Sequence, residues 1–213
     1  MKKVSVVDYG VGNLRSVAMA LEYCGAEVNF VKKPAAILSA DRVILPGVGA
    51  FPAVIRLLRE KGFEEAVKKF AESERPFLGI CVGMQMLFDV GMEFVQTDGL
   101  GLIPGSIQPI PDTTSNGIPH RIPHIGWSGI TAPENVSHWR GTILDGLQEG
   151  ATVYFVHSFT AHPVSANHLL AETHYDGRRI SAVVRKDNVY GTQFHPEKSG
   201  ETGLAIINNF LAL

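Results

Sequence analysis

Residues 77–83 read Phe-Leu-Gly-Ile-Cys-Val-Gly, and this stretch decides the fold class. Phe77 to Ile80 is a short apolar run typical of a buried strand, and Val82 to Phe88 is predicted to be the helix that follows it. A cysteine between two glycines at such a junction has the form of a nucleophile elbow, G-x-S-x-G with Cys81 in place of serine. The glycines permit a tight turn, and the positive end of the helix would favour the reactive thiolate. The alternative is that Cys81 is a small buried hydrophobic side chain.

The chain before this stretch repeats the alternation of strand and helix. Apolar runs typical of buried strands occur at Val4 to Val7, Glu27 to Val31 and Arg42 to Leu45. Amphipathic stretches typical of helices occur at Leu14 to Cys24, Phe51 to Leu58 and Phe63 to Glu72. Strands that alternate with helices predict a parallel sheet covered on both faces, with sites beyond the carboxyl ends of its strands.

The second half of the chain has a different pattern. Residues 100–133 are rich in glycine and proline, with a β-like piece at Arg121 to Trp127. Further strands are predicted at Val153 to His157, Leu169 to Tyr175, Arg179 to Arg185 and Val189 to Phe194, with a hairpin turn at Asp176-Gly177 and a last helix at about Glu201 to Leu211. We therefore expect one α/β domain over residues 1–213. Its central sheet should be mostly parallel and flanked by helices, with an added antiparallel section in the C-terminal half.

Two further segments carry groups suited to acyl transfer. His195 and Glu197 follow the last predicted strand, and side chains two apart in an extended segment point the same way. A carboxylate that holds a histidine, which in turn serves a nucleophile, is the logic of a catalytic triad. Gly47-Val48-Gly49 follows the third strand and could turn backbone N–H groups toward an oxyanion, with the N–H of Val82 as a second donor. The alternatives are a surface loop and a plain strand-ending turn.

Other signals exclude whole classes of function. The net charge of −2 provides no basic field for nucleic acid, and no stretch approaches the roughly 18 apolar residues of a membrane span. Two cysteines do not make a disulfide framework, so the cytoplasm is the expected compartment. Gly10-Val11-Gly12 lacks the third glycine of a dinucleotide fingerprint and is interpreted as a tight turn. None of the eight histidines has metal-ligand spacing, so neither metal nor cofactor is expected, and His157 and His162 are predicted to be hydrogen-bonded loop residues.

Five motifs together resemble those of the class I glutamine amidotransferases, and more closely those of the glutaminase subunits of imidazole glycerol phosphate synthase. They are DYGVGNL at 8–14, LPGVGAF at 45–51, LGICVGMQ at 78–85, YFVHS at 154–158 and QFHPEK at 193–198. The resemblance extends over nearly the whole chain. It implies that Cys81 attacks the side-chain amide of L-glutamine. His195 would then move the proton to departing ammonia, and Glu197 would orient the imidazole.

The resemblance also implies roles for residues around the triad. The oxyanion loop matches Gly47 and Val48, with Val48 as the donor after a backbone rearrangement. The glutamine-binding positions match Gly49 and Gln85, with Glu93 facing the α-amino group. The backbone of Ser158 and Phe159 would hold the substrate carboxylate.

By the same resemblance, the subunit works in a heterodimer with a (β/α)₈-barrel cyclase. Ammonia would pass to a phosphorylated ribonucleotide, yielding imidazole glycerol phosphate and an aminoimidazole carboxamide ribotide in histidine synthesis. Trp127 and Tyr154 match partner-interface positions, and low glutaminase activity is expected until the partner is loaded.

Three alternatives stay open at this point. Ser128 stands where the family usually has asparagine, which keeps open a relative that gives ammonia to a surface-sugar acceptor by the same chemistry. A stand-alone cysteine hydrolase of γ-glutamyl amides would need no barrel partner. A non-catalytic scaffold would have no need of a reactive thiol, so the intact triad argues against it.

Overall fold

A computed structural model describes residues 2–213 of the 213-residue chain. The helices are α1 (Leu14–Tyr23), α2 (Phe51–Glu60), α3 (Phe63–Ala71), α4 (Val82–Gln85) and α5 (Gly200–Ala212). The strands are β1 (Lys2–Val7), β2 (Ala26–Val31), β3 (Val43–Gly47), β4 (Phe77–Cys81), β5 (Phe88–Gly91), β6 (Thr97–Asp98), β7 (Ile103–Pro109), β8 (His124–Gly129), β9 (Thr152–His157), β10 (Phe159–Pro163), β11 (Leu169–Tyr175), β12 (Arg178–Lys186) and β13 (Val189–Thr192). None of these helices is long and apolar enough to cross a membrane.

The largest sheet contains seven strands in the order β11-β12-β13-β4-β3-β1-β2. The neighbours from β13 to β2 run parallel, whereas β12 and β11 add antiparallel strands at one edge. Helix α1 packs beside α5, and α2 packs beside α3. This arrangement confirms the predicted fold class. Asp176 and Gly177 join β11 to β12 with φ of 48° and 79°, as expected of a tight hairpin turn.

The central strands and helices α1, α2, α3 and α5 form where the apolar pattern predicts them. All five residues of β3 and all five of β4 are buried, as expected of strands covered on both faces. In α2 the buried residues Phe51, Val54, Ile55 and Leu58 recur at helical spacing, so one stripe of the helix faces the core. Trp139 is buried and donates its indole N–H to the carbonyl of Leu170 at 2.9 Å.

Two smaller sheets occupy the second half of the fold. One has the order β10-β7-β5-β6, and the other pairs β8 with β9. The prediction of loop positions for two histidines was wrong: His157 ends β9 and His162 lies in β10. The β-like piece predicted at Arg121 to Trp127 starts later, at His124, directly after Pro123, which has no N–H to donate to a ladder.

The predicted helix Val82 to Phe88 was wrong in its second half. Helix α4 ends at Gln85 after one turn, and Phe88 begins β5. The cause is tertiary: the carbonyls of Met86 and Leu87 accept N–H groups from the 100–103 segment at 2.8 to 2.9 Å. Those carbonyls are therefore committed to a sheet-like neighbour, and β5 continues parallel to β7.

The sheet topology fixes the place of the candidate site. Gly47 at the end of β3 lies opposite Cys81 at the end of β4, and Thr192 at the end of β13 lies opposite Ile80. The carboxyl ends of three adjacent parallel strands thus meet at one edge, which is where α/β sheets form their sites.

Candidate active site

Cys81 sits on a sharp turn between β4 and α4. Its backbone has φ 55° and ψ −113°, a conformation that L residues with a side chain rarely adopt. A residue held in such a conformation costs of order 1–3 kcal/mol and persists only where its surroundings fix it. The turn projects the sulfur toward a cavity above the sheet, and Cys81 is 5% exposed. This is the elbow geometry that the sequence predicted.

Glycines make the elbow possible because backbone approaches backbone there. A Cβ on Gly79 would lie 2.7 Å from the carbonyl oxygen of Gly83, and one on Gly47 would lie 2.6 Å from the nitrogen of Gly83. A Cβ on Gly83 would collide with the carbonyl of Leu45. These contacts explain why glycine stands on both sides of Cys81 and at the end of the neighbouring strand.

His195 and Glu197 form a buried pair beside the elbow. The Nδ1 atom of His195 lies 2.8 Å from Oε1 of Glu197, and their side chains are 4% and 1% exposed. With Nδ1 engaged by the carboxylate, Nε2 is the ring nitrogen available to the Cys81 sulfur. Burial alone would lower the pKa of His195, but hydrogen bonds and charge interactions with Cys81 and Glu197 outweigh burial and raise that pKa to about 10. The ring is therefore an imidazolium at neutral pH, and it lines the same cavity as Cys81.

The backbone of His195 is held by strand β9. The N–H of His195 donates to the carbonyl of Tyr154 at 3.1 Å. The buried hydroxyl of Ser199 donates to the carbonyl of His195 at 2.7 Å and accepts the N–H of Tyr154 at 3.0 Å. Sequence reasoning missed Ser199, because nothing in the pattern shows that its hydroxyl closes this clamp.

The predicted oxyanion segment runs from Gly47 to Gly49. Gly47 is the last residue of β3, whereas Val48 is 39% exposed and Gly49 has a positive φ of 110°. Just before them, the carbonyl of Pro46 accepts the hydroxyl of Tyr9 at 2.6 Å. Burial and then the nearby Cys81 charge raise the pKa of Tyr9, so its hydroxyl keeps the proton that it donates. Tyr9 was a motif residue without an assigned role, and the structure makes it the anchor of this segment.

A cavity of about 310 Å³ opens in front of the sulfur, the small end of the range for ligand pockets. Its lining residues come from both halves of the chain: Val48, Gly49, Cys81, Val82, Gln85, Glu93, Pro123, Val156, His157, Ser158, Phe159 and His195. The predicted binding residues are therefore brought together around one space. Glu93 already uses Oε2 to accept the N–H of Phe51, the first residue of α2, at 2.6 Å. Glu197 and Gly47 are not among the lining residues.

A chain of hydrogen bonds links the cavity to strand β8. The carbonyl of Phe159 can only accept, so Nδ1 of His157, 2.8 Å away, carries a proton. Burial lowers the pKa of His157 to about 3 and that of His124 to about 4, so both rings are neutral. Nε2 of His157 then accepts from Nδ1 of His124 at 3.0 Å, and Nε2 of His124 accepts the hydroxyl of Ser128 at 3.0 Å. Sequence reasoning missed this chain.

Trp127 and Tyr154 lie outside the cavity. They are directly opposite in the β8–β9 pair, with ring centroids 5.9 Å apart. Trp127 is 57% exposed, which is unusual for a tryptophan in a folded domain. Among residues 2–213 no group of three or more metal-ligating side chains is found.

A thiol, an imidazole and a carboxylate in this order can form and hydrolyse a thioester. The sulfur supplies the nucleophile, the imidazole moves the proton, and the carboxylate fixes the imidazole. A small cavity with a carboxylate at one side and backbone groups at another suits a small amide that carries charged groups of its own.

Comparison with known proteins agrees with the chemistry that the site geometry indicates. Residues 5–213 match the family model described as glutamine amidotransferase class-I. The chain is 51% identical to "Imidazole glycerol phosphate synthase subunit HisH 1" of Legionella pneumophila (strain Lens) over 213 residues, which is all of both chains. It is 42% identical over 207 residues to the HisH subunit of Caldanaerobacter subterraneus subsp. tengcongensis, covering 97% of this chain and 96% of that one.

Solved structures show a similar fold. A structure described as a glutamine amidotransferase superimposes with a TM-score of 0.72 at 20% identity, covering 99% of both chains. A chain of PurLQS from Thermotoga maritima superimposes with a TM-score of 0.71 at 24% identity, covering 100% of this chain and 99% of that one. At these identities the similarity concerns the fold alone.

Proposed function

The chain belongs to the class I glutamine amidotransferase family, and from this membership we propose that it is the glutaminase subunit of an imidazole glycerol phosphate synthase. It hydrolyses L-glutamine to glutamate and ammonia for histidine biosynthesis. The observation that carries the proposal is that Cys81 and His195 line one cavity, with His195 held by Glu197 at 2.8 Å, in a chain 51% identical over its full length to a relative with that name.

In the first half of the reaction, the Cys81 thiolate attacks the side-chain carbonyl carbon of glutamine. A tetrahedral oxyanion forms, and the N–H groups of Val82 and of the 47–49 segment are its donors. The His195 imidazolium protonates the leaving nitrogen, the C–N bond breaks, and ammonia departs. The product is a glutamyl thioester on Cys81.

In the second half, water attacks the thioester carbon. His195, now neutral, takes a proton from the water, and the C–S bond breaks to release glutamate and the thiolate. The net reaction is glutamine plus water giving glutamate plus ammonia. Glu197 orients the ring and stabilises the imidazolium, as the acid of a triad does.

The substrate backbone is held at the far side of the cavity. Gln85 and Gly49 contact the glutamine side chain, and the free oxygen of Glu93 faces the α-amino group. The Ser158–Phe159 peptide receives the carboxylate, and the bond from His157 to the carbonyl of Phe159 fixes the next peptide along the chain.

The released ammonia needs a covered path, because in neutral water it becomes unreactive ammonium. We propose that a (β/α)₈-barrel cyclase docks over the cavity mouth. Exposed apolar side chains occur in segments that also supply cavity residues; they are Val48, Met92, Phe94, Ile125 and Trp127. Exposed apolar side chains near a site mark interaction surfaces, and Trp127, paired with Tyr154, is the largest of these side chains.

Reconstitution with the cyclase tests the proposal. The purified chain should hydrolyse glutamine slowly, and adding the cyclase with its phosphorylated ribonucleotide should raise the rate strongly. Trp127→Ala should weaken this stimulation, whereas Trp139→Phe, a change at the buried tryptophan, should not abolish docking. If the cyclase neither binds nor stimulates the chain, the histidine assignment fails, and a surface-sugar acceptor becomes the better explanation. Hydrolysis of other γ-glutamyl amides at a rate that the cyclase does not change would instead favour a stand-alone hydrolase.

A further inference from the structure

Gln193 is a buried polar side chain that the mechanism above does not use. It follows β13 directly, is 0% exposed, and its backbone N–H is fixed on the carbonyl of Ala182 at 2.9 Å. Its side-chain nitrogen Nε2 lies 3.8 Å from the Cys81 sulfur, which is hydrogen-bonding distance for a sulfur acceptor. Its oxygen Oε1 accepts from Nε2 of Gln85 at 3.1 Å.

The backbone carbonyl of Phe159 determines the orientation of the Gln193 amide through the side chain of Gln85, which lies between them. The oxygen of Phe159 can only accept, and Nε2 of Gln85 faces it at 3.5 Å. The nitrogen of Gln85 is thereby assigned, so the group that meets it from Gln193 must be the oxygen. The nitrogen of Gln193 then points at the sulfur. The reversed amide would oppose two NH₂ groups and place an acceptor against the sulfur.

We propose that Gln193 is a further residue of the reaction centre, the neutral donor that stabilises the anionic sulfur of Cys81. Hydrogen bonds to ionised groups are the stronger ones, and a buried setting strengthens them further. In the reaction proposed above, the sulfur carries negative charge when it attacks and again when the C–S bond breaks, and it is neutral in the thioester between these steps. The Gln193 bond therefore favours both the nucleophile and the leaving group.

The effect of Gln193 on turnover rests on the proposed glutaminase function. Its effect on the ionisation of the Cys81 thiol does not, and can be measured without substrate. The direct readout is the rate of Cys81 alkylation by iodoacetamide as a function of pH, followed by mass spectrometry. Gln193→Met keeps the size and removes the donor, so the pH midpoint of alkylation should rise by about one unit, a tenfold change in the ionisation equilibrium. Gln193→Glu keeps the acceptor for Gln85 but presents oxygen to sulfur, and its midpoint should rise further.

Thr192→Val is the matched control. Thr192 is also 0% exposed, and its hydroxyl makes no hydrogen bond to the described residues, so this change should leave the midpoint as in the wild type. Glutaminase turnover should fall about tenfold in Gln193→Met. Equal midpoints for wild type, Gln193→Met and Gln193→Glu would overturn the role of Gln193. An absent glutaminase activity with a shifted midpoint would overturn only the proposed function.

A measurement on the wild type keeps the test independent of how the variants fold. Alkylation removes the sulfur anion, so the side-chain amide signal of Gln193 in a ¹H–¹⁵N NMR spectrum should move when Cys81 is modified. An unmoved signal would contradict the bond.

Discussion

At the residue scale, the reactive centre combines a strained nucleophile with a charged pair. Cys81 holds its φ of 55° because three glycines let the chain pass close by. His195 keeps its proton because Cys81 and Glu197 both act on it. Removing either partner should therefore change the protonation of the imidazole rather than only its position.

Glu197→Gln is predicted to lower glutaminase turnover by roughly 10²–10⁴, the range of general acid–base contributions. The loss should be smaller than for Cys81→Ala, because Glu197 neither forms nor breaks a bond with substrate. Steady-state rates at saturating glutamine measure this. Glu201→Gln, an exposed acid in the first turn of α5, is the control. A silent Glu197→Gln would remove Glu197 from the triad.

The same variant is predicted to move the alkaline limb of kcat/KM to lower pH. The pKa of His195 in the folded protein is raised from 6.5 to about 10. The contribution of the charged ring to the free energy of unfolding is therefore complete below pH 6.5 and is lost as pH rises toward 10. The imidazolium needed for catalysis is lost over the same alkaline range. Without the Glu197 charge that pKa falls, and the imidazolium is lost earlier. An alkaline limb unchanged in Glu197→Gln would contradict this account of the raised pKa.

At the scale of elements, the segment after β3 depends on an anchor from Tyr9, which lies in the loop after β1. Tyr9→Phe would leave the carbonyl of Pro46 without its buried donor, which costs about 1–3 kcal/mol of unfolding free energy. The loosened segment should also reduce turnover about tenfold with little effect on glutamine binding, because oxyanion donors act in the transition state. Urea unfolding and kinetics measure the two effects. Tyr190→Phe, at another buried tyrosine, is the control. Lost stability with unchanged kcat would show a structural anchor only.

The β8–β9 pair is predicted to make the fold sensitive to acid. His124 and His157 are neutral when folded, with pKa values lowered to about 4 and about 3 from 6.5. Their contribution to stability is complete above pH 6.5 and is lost as pH falls toward 3, because the unfolded chain binds protons that the folded one refuses. Urea midpoints between pH 7 and 4 should fall more steeply in the wild type than in His157→Gln, which removes one of the two sites. Parallel slopes would contradict buried neutral rings.

The sequence predicted some elements well and others not at all, for physical reasons. Continuous apolar runs such as Phe77 to Ile80 can only be buried, so the central strands were identified correctly. Strands β5, β6, β7 and β10 were missed because they are short or carry glycine and proline, and their pairing comes from distant segments. The helix predicted through Phe88 ends early for the same reason, because N–H groups of residues 100–103 donate to the carbonyls of Met86 and Leu87.

At the scale of the whole molecule, one cavity gathers residues from Val48 to His195. Recognisable spacing predicted Val48, Gly49, Cys81, Val82 and His195 of its lining, and the family resemblance added Gln85, Glu93, Ser158 and Phe159. They could not reveal the contact of Gln193 with Cys81, which joins side chains 112 positions apart. Nor could they reveal that Ser128, the departure from the family pattern, donates to a buried histidine. Such contacts depend on packing, and no local pattern encodes them.

The central claim is that Cys81 makes ammonia from glutamine for a docked cyclase. Its most direct test is the formation of imidazole glycerol phosphate by the reconstituted pair, supplied with the ribonucleotide and with either glutamine or an ammonium salt. The wild-type pair should form product from both nitrogen sources. A Cys81→Ala pair should form product from the ammonium salt and none from glutamine. Product from glutamine in the Cys81→Ala pair, or no product from ammonium salt where the wild type uses glutamine, would contradict the account.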